Sequence, residues 1–513
     1  MPTPVLIAGA GPTGLTLAIW LKRLGICFRI IDKNSGPGQA SRAMVVQART
    51  LEFYRQIGIA DAVIQAGIPM DSIHLLRGAR EIAHYFFGDI GAQISPYQYV
   101  LSLPQDDHER LLVSHLEKLG VQIEWNTRLE SFEDLGDSVR ARLSHEKAPG
   151  AAVAETAEFS FLCGCDGARS VTRQSLGIGF PGGTYEHIFY VADVAMDRPD
   201  FERRVNVSIS GRTICLVFPV RSSGMFRLIG IVPHNIASRD NLTFEDVREG
   251  IRQQIGGEVT TVNWFSTYHI HHRVAETFRK GRAFLAGDAG HIHSPAGGQG
   301  MNTGIGDAVN LAWKLAAVLQ GRAAEAILDT YSTERTAFAQ VLVNVTDRIF
   351  DAVVGRGPGP HLVRSLFIPF IAPVLLRMRR IRRSQFRLVS QVRIRYPHSV
   401  STLSRGRAGA IHGGDRLPWL AESDNFAALS SLDWQLHVAG EPSIELRRLA
   451  KARGIALHSF PFDAGASRAG FERDAAYLIR PDGHVAVAAS GADSSQIADF
   501  LEDWKIVPVD PAR

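Results

Sequence analysis

Cysteine is scarce in this chain: the 513 residues hold four, Cys27, Cys163, Cys165 and Cys215. They lie in the first half with no pair-of-pairs spacing, which excludes a disulfide framework and a cysteine zinc site, and no metal is expected. A net charge of one sign is missing too. Lys+Arg number 56 against 52 Asp+Glu, and a formal +4 is too small to imply nucleic-acid binding. Long apolar runs are absent. The most apolar later stretch, Leu366 to Leu376, is interrupted by Pro369 and Pro373 and too short to span a bilayer, so no stable membrane insertion is expected. A strand-like run at Val5 leads at once into a glycine motif, leaving no room for a signal peptide ahead of it. With so few thiols, the expected setting is the reducing cytoplasm, as monomer or homodimer.

What is present is ordinary globular composition, 45% hydrophobic and 21% charged, over a length that accommodates two to four domains. The small basic excess is local. Between His361 and Arg395 stand nine arginines (364, 377, 379, 380, 382, 383, 387, 393 and 395) and no acid, so the rest of the chain is net acidic. A basic amphipathic helix there can lie on an anionic membrane, but pairing with acidic surface of the same protein or of a second subunit is the favoured expectation.

Val5-Leu-Ile-Ala-Gly9-Ala-Gly11-Pro-Thr-Gly14, followed by Leu-Thr-Leu-Ala-Ile-Trp-Leu, reads as strand, tight turn and helix. Gly9 permits the turn, Gly11 lets a pyrophosphate approach the backbone, and Gly14 allows close helix–strand packing. A second apolar strand, Phe28 to Ile31, ends in Asp32, at the spacing of an acid on an adenosine ribose diol. This motif marks a dinucleotide site without separating FAD from NAD.

Two later segments make that choice. Phe161-Leu-Cys-Gly-Cys-Asp166-Gly167-Ala-Arg169 is a strand running into Asp-Gly. Ala283-Phe-Leu-Ala-Gly287-Asp288 is another, continuing through His291, His293 and Pro295 into the glycine-rich Gly297-Gly298-Gln-Gly300-Met301-Asn302 and a long helix. A strand-end carboxylate such as Asp288 can accept bonds from a polyol, the loop's bare backbone can approach a flat ring, and the helix N-terminus stabilises negative charge at the ring's edge. A reduced flavin has that charge and that polyol; NAD has neither.

In these motifs, and in Ser41-Arg42…Arg49-Thr-Leu-Glu-Phe-Tyr and Leu103-Pro-Gln105-Asp-Asp-His, the chain resembles the FAD-dependent aromatic hydroxylases of the p-hydroxybenzoate hydroxylase fold over about residues 1–345. The resemblance implies an α/β fold: a Rossmann-like FAD-binding domain with an inserted mixed β-sheet substrate domain. It places Gly9, Gly11 and Gly14 on the pyrophosphate, Asp32 on the ribose, Arg42 on the pyrophosphate and Gln105 on the ribityl chain. Asp166 would lie by the FAD phosphates, Asp288 on ribityl or phosphate oxygens, and the backbone of Gly298, Gly300, Met301 and Asn302 on the ring. Pro295 would flank the reactive flavin face. For Arg49, Arg110 and Arg169 a plain surface or loop charge is as good a reading. The activity implied is hydroxylation of a small aromatic substrate, phenolic or polyketide-like, by O2 through a flavin C4a-hydroperoxide. NADPH or NADH serves as transient donor, since no second glycine motif follows a strand. Baeyer–Villiger or decarboxylative oxygenation on the same sites, and flavin binding without turnover, remain the alternatives.

The expected domains are 1–176 (FAD-binding, first part, with 70–100 contributing to the substrate sheet), 177–280 (substrate sheet) and 281–345 (FAD-binding, second part). A helical linker, 346–395, and a tail, 396–513, follow. The tail reads β-α-β-β-β-α and resembles the thioredoxin-like domain of phenol and polyketide hydroxylases; lacking cysteine, it cannot be a dithiol redox domain. For substrate activation the candidates are His293 and Tyr268, with His291, His269, His271 and His272 as neighbours and Phe218 and Pro219 as pocket walls.

Overall fold

The computed structural model describes residues 3–38, 43–148, 151–211, 213–221, 224–239, 241–293, 298–491 and 494–509. Arg42 and Pro295 lie outside them.

The N-terminal sheet is parallel at its centre. Thr3–Ala8 runs beside Phe28–Ile31 on one side and the end of Ala151–Gly164 on the other, and Ala283–Leu285 joins beyond that. The antiparallel strands Thr127–Asp134 and Val139–Ala148 extend it from the start of Ala151–Gly164. Val5, Leu6, Ile7, Leu162, Cys163 and Phe284 are all buried, as expected of strands covered on both faces. Helices Pro12–Arg23 and Gly300–Leu319 pack together on this sheet, and their apolar residues enter one core.

The second sheet has eight strands, in the order His291–Ile292, Val259–Val274, Gly182–Met196, Met225–Ile231, Thr213–Pro219, Arg204–Ser210, Ser72–Arg77 and Arg80–Phe86. Only the pair Arg204–Ser210 and Ser72–Arg77 is parallel. The chain from 72 to 86 thus crosses to the far edge of a sheet built mainly from residues 182–274. The strand His291–Ile292, which leads into the glycine-rich loop, forms the opposite edge. Phe244, Val247, Ile251 and Ile255, on and just before helix Glu245–Ile255, cover one face and close a separate core.

Beyond helix Asp329–Val354 a bent helical segment leads to a six-stranded sheet: Ile411–His412, Arg405–Ala408, Val485–Ala489, Ala476–Ile479, Gln435–Ala439 and Ala456–Phe460. From Gln435 onward the order is β-α-β-α-β-β-α; the short helix Ala464–Ala469 is the addition to the order read from sequence.

Candidate active site

The three motif segments meet at the C-terminal ends of the parallel strands, and steric contact explains why they must be glycine. Gly9 has φ +107°, and a Cβ there would lie 2.3 Å from the Cys165 carbonyl oxygen. A Cβ on Gly14 would lie 1.9 Å from the Gly9 oxygen. Thr13 is wedged between the strand-end turn of the third segment and the helix that follows it: a Cβ on Gly287 or on Gly304 would come within 2.5 Å or 2.4 Å of its Oγ1. Gly11 is different. Its backbone is extended and nothing lies within 4 Å of where its Cβ would stand. It caps helix Pro12–Arg23, which has no side-chain cap and no acid in its first turn. Open space over an uncapped helix N-terminus is the cradle that a pyrophosphate needs.

The carboxylates divide their work. Asp32 Oδ2 accepts from the Ala10 N–H at 2.7 Å and Oδ1 from Asn34 N–H at 2.8 Å, so it ties the glycine turn to the second strand. A carboxylate has lone pairs to spare for a diol on the same side. Asp166 Oδ2 accepts from both the backbone and hydroxyl of Thr172, at 2.9 and 3.0 Å, and holds the start of helix Val171–Ser175. Its Oδ1 is buried with no partner among the described residues. Asp288, on the 3-10 turn Gly287–Ala289, is exposed at the strand end. Gln105 Nε2 donates to Glu109 Oε1 at 2.8 Å, while Glu109 Oε2 accepts from Gly38 N–H at 2.8 Å. Burial raises the Glu109 carboxyl above its ordinary value.

The described part of the glycine-rich loop is pinned from beneath. Gly298 (φ +63°) stands against Val45, where a Cβ would approach to 2.7 Å. Asn302 is buried and uses its whole amide. Oδ1 accepts from Gln47 N–H (2.9 Å) and Thr50 Oγ1 (2.7 Å), and Nδ2 donates to the Val45 and Gly298 carbonyls (both 2.8 Å). Gly300, Met301 and Asn302 form the first turn of helix Gly300–Leu319, again with no side-chain cap and no acid in its first turn. Free N–H groups beside an open strand end suit the edge of an electron-rich ring.

Two buried polar groups here gave no sequence signal. Asp307, on the same helix, accepts from Gly287 N–H (2.9 Å), His291 Nε2 (2.7 Å) and Arg335 Nε (2.5 Å). Burial works against its charge, but Arg335 and His291 outweigh that and hold the carboxyl below its ordinary value. His291 is therefore committed to the interior. His108 lies under Met301, with Nδ1 3.4 Å from Sδ and Nε2 bonded to the Tyr54 hydroxyl at 2.9 Å. Burial alone pushes its imidazole down to about 4. The signal for either is an ionisable residue on the apolar face of a helix, a cue that periodicity does not register as function.

His293 and Tyr268 are placed apart. His293 is half-buried, stacks on His291 at 6.3 Å between ring centroids, and lies 3.7 Å from where a Gly300 Cβ would stand. Tyr268 is half-buried in a cluster with Phe189 and Phe350. It stands five residues, about 17 Å of strand, from Arg273, the partner of Ile292. Phe218 is buried, and the Pro219 carbonyl accepts from Ser102 Oγ at 2.6 Å, which joins the second sheet to the short strand Val100–Ser102. Of the ambiguous arginines, Arg49 is buried against Glu52 and donates to the Asp482 carbonyl of the tail at 2.7 Å. Arg110 pairs with Asp106 and Asp107 on its own helix. Elsewhere, His74, Glu81 and His84 bring three metal-type donors within 4.8 Å of one another. Both imidazoles are bonded to the one carboxylate, and the Arg204 guanidinium, 3.7 Å from Glu81, opposes a cation there.

Comparison with known proteins gives a consistent picture. The model of the FAD binding domain family matches residues 2–346. The chain is 32% identical to 6-methylpretetramide 4-monooxygenase of Streptomyces rimosus, over 99% of this chain and 94% of that one. It is 31% identical to the 12-dehydrotetracycline 5-monooxygenase/anhydrotetracycline 6-monooxygenase of Streptomyces rimosus subsp. rimosus, over 98% of both. Among solved structures, the flavin-dependent monooxygenase PieE in complex with FAD and substrate superimposes with a TM-score of 0.78 at 25% identity, covering 98% of this chain and 99% of that one.

Proposed function

We propose that this chain, which belongs to the FAD binding domain family and is an FAD-dependent aromatic monooxygenase, hydroxylates a phenolic or polyketide-like polycyclic aromatic. The observation that carries the assignment of the site is the convergence of Gly9–Gly14, Asp166, Gly287–Asp288 and Gly298–Asn302 around open space bounded by two uncapped helix N-termini. These residues fit FAD. Gly11 and the first turn of helix Pro12–Arg23 would take the pyrophosphate, Asp32 the ribose, and the unpartnered Asp166 oxygen a donor on the phosphate side. Asp288 and Gln105 would take the ribityl chain, and the N–H groups at Gly298, Gly300, Met301 and Asn302 the ring. Arg42 and Pro295 belong to this proposal from sequence alone.

When bound, the flavin supplies the redox and oxygen-activating chemistry, and the protein supplies position and electrostatics. The second sheet roofs the strand ends and keeps water out. His293, beside the start of helix Gly300–Leu319, is the proposed proton-handling group near the ring. Tyr268 would orient a large substrate further along the same sheet. NADPH or NADH is the proposed transient donor. The four-stranded core and flanking helices of the tail are proposed to be a thioredoxin-like domain with a packing role only, the domain limits being those expected from sequence.

The test is to purify the protein, record its flavin spectrum and screen phenols and polycyclic quinols for stimulated NAD(P)H oxidation with a product one oxygen heavier. A protein that takes up FAD but shows no aromatic-stimulated oxygen uptake would be a flavin-binding protein without turnover. One that cannot take up FAD would overturn the assignment of the site.

A further inference from the structure

Six of the nine arginines of the window do not find, among the described residues, the acidic partners expected for them. Among the described residues, no carboxylate lies within ion-pair distance of Arg377, Arg379, Arg380, Arg383, Arg387 or Arg393, while the next arginine, Arg395, reaches Asp415 at 3.5 Å. Arg380, Arg383, Arg387 and Arg393, with Ser384, line one cleft of about 370 Å³. Burial and the charges of Arg383, Arg416 and Arg393 lower the Arg387 guanidinium below its ordinary value, the sign of cations crowded without compensation. The one well-packed anchor of helix Arg379–Val389 is Phe386, buried against Phe87.

Immediately before this helix runs Pro358–Leu375, bent from it by 106°. Its middle, Val363–Ile371, has wide i→i+5 turns. Such turns carry more than 3.6 residues each, so a four-residue repeat stays near one face. The repeat is Leu362, Leu366, Phe370 and Val374, exposed by 57, 45, 62 and 58%, and Met378, 51% exposed, follows in the turn before the next helix. Single exposed apolar residues are unremarkable, but a continuous stripe of four is an interaction surface. The stripe and Met378 lead up to Arg379 and Arg380, so an apolar face and an uncompensated cationic face adjoin.

We propose that this bent pair is an interfacial anchor that seats the protein reversibly on an anionic bilayer, with Leu366, Phe370 and Val374 in the acyl boundary and Arg379, Arg380, Arg383 and Arg387 on lipid phosphates. Charge complementarity selects this occupant. A two-fold contact with a second copy would bring the same arginine-rich patch against itself, arginine facing arginine. A bilayer surface supplies both missing partners, phosphate for the guanidiniums and hydrocarbon for the stripe. Among the described residues no single helix is long and apolar enough to cross a membrane, and this bent pair reaches that length only when its two halves are taken together; the 106° bend and the arginines of the second half favour a segment lying on the surface.

The experiment uses the full-length, FAD-loaded protein in co-sedimentation with phosphatidylcholine vesicles, with and without phosphatidylglycerol. Binding is expected with the anionic vesicles only, and to weaken as salt rises. R380Q/R383Q/R387Q should weaken it by about fivefold per arginine, on the order of a hundredfold in all. F370S/V374S should weaken it by about tenfold and leave its salt dependence unchanged. Both variants should keep the flavin spectrum and basal NAD(P)H oxidation, which shows that they fold and separates this test from that of the catalytic reading. Equal binding to both vesicle types, or none to either at low salt, would overturn the proposal. So would a stable dimer in solution that F370S/V374S converts to monomer.

Discussion

Two glycines three residues apart in one motif should fail in different ways when changed to alanine. Gly14→Ala drives a Cβ into the Gly9 carbonyl at 1.9 Å, backbone against backbone, and is expected to lower the thermal midpoint sharply, at a cost of about 3 kcal/mol or more. Gly11→Ala meets nothing, and its φ of −75° suits alanine, so the fold should keep its stability while FAD affinity falls at least tenfold. Paired melting curves and flavin titrations separate the two; equal FAD affinity in Gly11→Ala would remove the pyrophosphate from that position. The buried imidazoles make a pH prediction. His108 and His484 are pushed down to about 4, and His437 to about 3, in each case chiefly by burial. With an unfolded value near 6.5 the native state binds fewer protons between these limits. Stability is therefore full above about pH 6.5 and falls as pH drops towards 4, by about 1.4 kcal/mol per pH unit for each ring. The melting temperature should drop between about pH 7 and about pH 5, and a flat profile would show that these rings titrate as if exposed.

At the level of elements, helix Gly300–Leu319 and strand Val259–Val274 govern the site. The helix start is positioned by Asn302, all of whose amide bonds are internal. Asn302→Ala leaves Gln47 N–H and the Val45 carbonyl without that partner, an expected cost of about 2–4 kcal/mol. Because the loss falls on the glycine-rich loop proposed to hold the ring, FAD affinity measured on reconstituted apoprotein should drop tenfold or more, with global stability less affected. The strand separates His293 from Tyr268, so their variants should separate kinetically. His293→Ala is expected to lower kcat at least tenfold. Tyr268→Phe is expected to raise KM for the aromatic with kcat within about threefold. Identical effects of the two would contradict the separate roles proposed for them.

For the whole molecule, the tail is joined to the flavin domain by a buried set of charges. Arg480 donates to Glu334 at 2.7 and 3.0 Å and to Asp482 at 2.6 Å; Lys314 donates to Glu334 at 2.9 Å, and Trp313 Nε1 to Asp482 at 3.1 Å. Lys314 and Trp313 lie on the helix whose first turn belongs to the flavin loop, so the tail braces the far end of that helix. Burial lowers the Lys314 ammonium to about 8, while Arg480 and Lys314 overcome the effect of burial and hold Glu334 below its ordinary value. Arg480→Ala strands two buried carboxylates and should cost about 3–5 kcal/mol, with faster proteolysis of the tail. A neutral outcome by calorimetry would mean that water enters the join.

The local motifs were legible in sequence because they are governed by local rules. A strand, a positive-φ glycine and a helix start occupy about ten consecutive residues, so the strand–turn–helix at Gly9–Gly14 and the strand ends before Asp166 and Asp288 were readable from local pattern. The FAD binding domain follows from the order of those motifs. What spacing could not decide is set by tertiary contacts, most of them between residues more than a hundred positions apart. Asn302 is bonded to Gln47, His291 to the interior rather than the pocket, Arg49 to the tail, and residues 72–86 to the far edge of the second sheet. The arginine window shows the same division. Its charge was plain from composition, but whether those charges meet acids or solvent depends on which surfaces pack. Only the tertiary structure, where burial and geometry select among chemically possible partners, pairs Arg395 with Asp415 and leaves Arg379, Arg380, Arg383 and Arg387 without a carboxylate among the described residues.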